Sequence, residues 1–398
     1  MLSTMPRHIA HAIRWAATGL LLLAAGCGGG GSSGTGGTGQ YASGPGTGGT
    51  GYPGFFAIQV SGSISGFGSV IVNGVRFDDS LAAVRISGQS ASPAQLGLGM
   101  SVSVSGTATA TSASSAVTSA VATSIETWSI AQGVVTAKTP HGITVAGMVI
   151  ASDAVTVFPG TTSFAALAVG DTVQVWGNPL NASYTGWLAT RIEPASASAP
   201  VISSGPVGGK SSALTLNGFS LSGATSGLAV GRAATLLGTA TGAALSVSSV
   251  HLLDAAPLVA SGTQLEQEGA ITSVTSSTLF KIGNYPVDAG GAVVKPTGMA
   301  PALSMRVEVD GVWNGTALVA KSVEYKTQTE LQSVELESTI TAFTSLSDFV
   351  VRGLLCDASS LTSVANGQLS ELKVGVKIHL RGVNMGNRIQ VTSLSIDR

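Results

Sequence analysis

Few side chains in this sequence are equipped for catalysis. Five His, two Cys and twenty Asp and Glu are spread over 398 residues. His141 sits in a Pro-His-Gly turn, and neither His251 nor His379 has another His, a Cys or a carboxylate at metal-ligand spacing. His379 falls out of phase with Ile378 and Leu380, so it should face solvent. Cys356 closes the apolar run Val350–Cys356 and reads as a small buried hydrophobe rather than a nucleophile. Ser204–Ser211 (SGPVGGKS) imitates the end of a phosphate-binding loop. It has Ser204 where that loop requires Gly, and it is followed by strand-like alternation instead of a helix to hold the phosphate. The pairs Asp78-Asp79, Glu266 with Glu268, and Glu335 with Glu337 supply too few oxygens in any one loop for Ca²⁺ and read as solvated faces. The residues therefore predict no enzyme, no metal site and no cofactor.

Trp176 and Trp187 carry the best case for a ligand. They lie on neighbouring strands of one segment and are candidates for stacking on a glycan or other small ring, with core packing as the competing role. Nucleic acid is a poor fit, because 19 basic residues balance 20 acidic ones and leave no basic face.

The N-terminus says where such residues must work. Arg7 and Arg14 precede the apolar stretch Ala16–Ala25, which is too short to span a bilayer but suits an export signal. Leu23-Ala24-Ala25-Gly26-Cys27 resembles the lipobox of bacterial lipoproteins, with Ala24 where the box usually has Leu. The resemblance implies cleavage before Cys27 (residues 1–26 removed), lipid on Cys27, and Cys356 as the one remaining thiol. Gly28 in place of Asp after that Cys favours the outer membrane. Residues 27–54 are Gly, Ser and Thr with little to bury, a disordered tether reaching about 30 Å from the lipid.

Beyond the tether the chain repeats itself. A Gly that closes an extended segment recurs at Gly74, Gly147, Gly218, Gly283 and Gly353; a second, ending a later strand, recurs at Gly106, Gly177, Gly238, Gly311 and Gly382. Five modules follow, at 55–127, 128–201, 202–264, 265–333 and 334–398. Each reads as a Gly-led strand, a hairpin around the first Gly, a connector long enough for a helical turn or two, an alternating strand and a closing strand. Asn73-Gly74 and Asn217-Gly218 suit the tight turns that demand positive φ. The fold class is all-β: a tandem row of about five small antiparallel OB-like barrels, closed because closure removes exposed strand edges, with a small sandwich as the alternative.

Phe67-Gly68-Ser69-Val70-Ile71-Val72-Asn73-Gly74-Val75-Arg76-Phe77-Asp78 resembles the signature segment of the DUF5666 proteins, and Val169–Gly177 is its nearest later echo. That resemblance implies repeated small β modules on a Gly-rich lipoprotein and assigns no activity. The function expected is non-catalytic binding or scaffolding at the envelope. Its partners would be the membrane, through the lipid, and an envelope protein or glycan. The alternative is a glycan- or small-ligand-binding module centred on Trp176 and Trp187.

Overall fold

Hairpin turns determine how each module begins. Asn73-Gly74, Ala146-Gly147, Asn217-Gly218 and Arg352-Gly353 each place two successive residues at positive φ, the type I′ geometry that matches strand twist. The computed structural model describes residues 54–109, 117–160 and 162–398; the segment expected to be an export signal, Cys27 and all but the last residue of the expected tether lie outside them.

Within every module the strands close in one order. In module 2 the first strand (Ala131–Thr139) pairs with the second (Gly142–Val145), which pairs with the third (Met148–Ala151). The third lies parallel to the fifth (Trp187–Pro194), the fifth pairs with the fourth (Thr172–Pro179), and the fourth returns to the first. Module 5 closes identically through Ser333–Ser345, Asp348–Val351, Leu354–Asp357, Arg388–Ile396 and Lys377–Asn384. A ring in which strands one to three meander and the fifth lies between the third and fourth is the OB topology. Modules 1 and 4 add short strands after the third, and module 3 splits its first strand at Val207. Among the described residues the connectors hold no α-helix. Apart from those short strands they are turn and coil, with a 3-10 turn at Pro93–Gln95 in module 1 and Leu369–Glu371 in module 5.

The second glycine marker lies inside the fourth strand rather than at its end. There the register slips by one residue in all five modules, at Gly106, Gly177, Gly238, Gly311 and Gly382. A Cβ on Gly311 would stand 2.2 Å from the Val319 carbonyl oxygen, and the other four meet partner-strand carbonyls at 2.2–2.6 Å. Each bulge brings two backbones too close for any side chain, so Gly is required for space and not for its φ.

The modules do not form a row. Module 1's first strand (Phe55–Phe67) pairs with its own barrel on one side over its first half and on the other over its second, which leaves two edges open. Module 4's first strand fills one, parallel, from Ile58↔Gln264 to Ser61↔Gln267; module 5's fills the other at Gly66↔Glu335 and Phe67↔Leu336. Modules 2 and 3 meet through Gln132↔Ile202. First strands with vacant halves are protected by one another, and the block folds back on itself.

Hydrogen bonds and side chains complete the block. Arg191 of module 2 is buried, ion-pairs with Glu193 and donates to the Leu98 carbonyl of module 1 at 2.8 Å. Phe158 and Gly160 donate backbone N–H groups to Gly386 and Gly353 of module 5, each at 2.8 Å. Arg352 lies over the Phe67 ring, 3.8 Å from its centroid.

Candidate binding cavity between four modules

Strand alternation loads one outer face of module 4 with charge. Leu265 and Ile271 on its first strand, and Val307 and Val309 on its fourth, point into the barrel, so Glu266, Glu268, Arg306, Glu308 and Asp310 point out. That face is half-buried, with Glu266 nearly sealed. Modules 1, 2 and 5 close over it around a cavity of about 350 Å³, within the range of small-ligand sites.

Most charges in its wall are already paired. Lys326 Nζ stands 3.0 Å from both Glu308 Oε2 and Glu324 Oε1; burial works against its charge, but the two carboxylates outweigh burial and hold its pKa above the usual value. Arg306 pairs with Asp153 of module 2. Glu330 is committed to its own helix cap, accepting from the Thr327 backbone N–H at 2.8 Å. Glu335 gathers Arg76 at 2.7 Å and His379 at 2.6 Å; burial alone would raise its pKa, and His379, Arg381 and Arg76 together bring it below the ordinary value.

Two charged groups are left over. Glu268 has no ion-pair partner among the described residues; burial pushes its pKa up to about 7, Glu308 adds to the push, and Lys326 and Arg306 offset part of it. Arg381 reaches Glu335 only through Nε at 3.4 Å and keeps a side chain 64% exposed. Deeper in the seam, Glu266 is 9% exposed, and neither its Oε1 nor the neighbouring Asn73 Oδ1 has a hydrogen-bond partner. Burial raises Glu266 to about 9, with Glu308 and Asp310 reinforcing it and Asn73 and Lys326 opposing. Glu266 and Glu268 are thus not a solvated face: the seam with module 1 covers them.

The tryptophans do not form a stacking surface. Trp176 is 1% exposed and packs outside its barrel against the core of modules 1 and 5, with the Arg191 guanidinium 6.0 Å from its ring. Trp187 is 3% exposed, sits in module 2's own core and donates Nε1–H to the Tyr184 carbonyl at 3.1 Å. It adds an edge to a smaller cavity of about 220 Å³ to which Trp176 does not contribute. Trp176 pairs with Arg191 and Trp187 with Pro179, so the two are not cross-strand neighbours. Cys27 lies outside the described residues.

His141 is exposed in its turn. His251 stacks on Trp128 with ring centroids 4.5 Å apart, and burial lowers its pKa despite Glu126. His379 is bound to Glu335 rather than free in solvent. Gly208–Lys210 is a strand paired with Ala213–Leu216, not a phosphate loop. Among the described residues no group of three or more His, Cys, Asp or Glu is placed to hold a metal ion. The residues that sequence reasoning missed are Glu268 and Arg381 as cavity groups and Arg191 as an inter-module contact. Glu268 had a signal, the polar-rich stretch Gln264-Leu265-Glu266-Gln267-Glu268 directly before the strand-opening Gly269, which module 5 echoes with Glu335 and Glu337.

Fold and cavity together define a protein of packed OB-like modules with an internal polar cleft. A family model described as "Domain of unknown function (DUF5666)" matches residues 132–193 and 268–324, so this is a DUF5666-containing protein. The matches fall on modules 2 and 4, the latter being the one that supplies Glu268 and Glu308, and not on module 1, where the segment that most resembles the family's signature lies. No curated protein matches the chain.

Proposed function

We propose that this chain is an exported, lipid-anchored, non-catalytic binding protein, held by Cys27 to the bacterial membrane, by preference the outer one, and that its ligand is a small polar molecule taken into the central cavity. The observation that carries the binding role is that cavity: about 350 Å³ walled by four modules and lined by charged and hydroxyl groups, including an unpaired carboxylate. A scaffold that offers its modules singly along a row would not need them knitted through their first strands. The anchoring role rests on Arg7, Arg14 and the Leu23–Cys27 segment.

Two measurements test the reading. Cys27→Ala should abolish fatty-acid labelling and release the protein from membranes; continued labelling would contradict the anchor. Ser333 is exposed and lines the cavity, so Ser333→Trp should obstruct it without disturbing a barrel core. The full chain incubated with envelope small molecules should retain, by native mass spectrometry, a species that Ser333→Trp does not. Equal retention by both would contradict the cavity as the binding site.

A further inference from the structure

Among the described residues two charges of opposite sign on the cavity wall are the least engaged: Glu268 has no ion-pair partner, and Arg381 has only the 3.4 Å contact of its Nε with Glu335. Glu268 lies on module 4's first strand, and Arg381, on module 5's fourth strand, offers its Nη groups with no carboxylate engaging them. The polar groups around them divide in the same way. Asn384 is used up, donating to the Val155 carbonyl at 2.8 Å and accepting from the Gly386 N–H at 2.9 Å. Thr190 is shared with Ser101 at 3.3 Å. Asn178 accepts from Ser101 through Oδ1 and keeps its amide N–H free, and the Ser63 hydroxyl has no partner among the described residues.

From this we infer that the cavity takes a small zwitterion, an amino acid or dipeptide, with its ammonium on Glu268 and its carboxylate on the Arg381 guanidinium. The inference rests on the proposed binding function and narrows its ligand. A simple cation is a poorer fit, since Lys326 and Arg306 already stand on the acidic wall. A simple anion is also poorer, since Glu335 lies beside Arg381 and Glu268 would remain unmatched. A zwitterion answers both charges at once, and Ser63 and Asn178, which line the same cavity, supply a hydroxyl and an amide for a peptide group. The volume has room for about a dozen water-sized groups, the size of a dipeptide. Arg381 suits a carboxylate because its planar fork can donate two parallel hydrogen bonds.

Titration calorimetry of the full chain with L-alanyl-L-alanine, its N-acetyl form and its C-terminal amide tests this. Dialanine should bind, and blocking either terminus should weaken binding about tenfold or more, the worth of one charge-assisted hydrogen bond. Glu268→Gln should remove the preference for a free amino terminus and Arg381→Gln the preference for a free carboxylate. Arg381→Lys should restore part of the latter, a recovery that a merely structural role would not produce. Blocked forms binding as tightly as dialanine, with Ser333→Trp abolishing all of it, would overturn the zwitterion and leave the cavity as a binding site. No heat from any of the three, while Ser333→Trp and the unaltered chain retain the same envelope molecules, would overturn both.

Discussion

Replacing Glu266 by Gln should make the protein more stable at neutral and alkaline pH. Asn73 donates its amide to the Ser61 carbonyl at 3.2 Å, and neither its Oδ1 nor Glu266 Oε1 has a hydrogen-bond partner in the seam between modules 1 and 4. Burial, reinforced by Glu308 and Asp310, makes the protonated carboxyl the favoured form there. The folded state keeps that proton up to about 9, against an ordinary 4.5. A raised carboxyl contributes its full stability below the unfolded value and loses it as pH climbs to the folded one. At about 1.4 kcal/mol per tenfold change in proton affinity, the ceiling on that loss is about 6 kcal/mol between pH 4.5 and 9, and about 3 kcal/mol of it is gone by pH 7. Glu268, raised to about 7, contributes in the same direction over the lower part of that window. Gln has the shape of the protonated acid and carries its own N–H donor. Urea unfolding at pH 5, 7 and 9 should therefore show the two proteins nearly equal at pH 5, with Glu266→Gln ahead by a growing margin above it. Parallel curves, or a Gln variant weaker than the parent at pH 9, would refute the buried-proton account.

Other perturbations follow from the same contacts. Gly311→Ala must push the fourth strand of module 4 off the Val319 carbonyl and should cost about 1–3 kcal/mol in urea unfolding; a neutral result would mean that the bulge is not tight. Arg191→Ala leaves the Leu98 carbonyl and the Glu193 carboxylate without their partner and should cost about 3–5 kcal/mol, with Arg191→Lys recovering part; melting of both variants measures it. Cys356 is wholly buried, and burial pushes its thiol up to about 12, so a thiol reagent at pH 8 should leave the native protein unmodified at Cys356 and label it in denaturant. Rapid native labelling would show that module 5 opens.

Much of one module was legible in the chain. Asn73-Gly74 and Asn217-Gly218 announce type I′ turns because only residues tolerant of positive φ can make them. The alternation in Val102, Val104 and Val307, Val309 names the barrel interior, and all four are buried. Glycine at the second marker is also a sequence signal, but its meaning was hidden: a Gly in a strand does not say whether the strand ends or bulges, and the carbonyl that excludes a Cβ belongs to another strand.

Local sequence determined the closed OB-like barrels, since turn chemistry and two-residue periodicity act over a few positions. How the barrels meet was decided by tertiary structure. Whether Trp176 faces a ligand or a neighbouring barrel, and whether Glu266 is solvated or sealed, depends on which edge of the first strand another module covers. The partners in that contact lie about 200 residues apart, as at Ser61↔Gln267. Alternation tells a strand's inner face from its outer face, but it cannot tell an outer face in water from one buried against a second barrel. The cavity exists only because four such outer faces close on it.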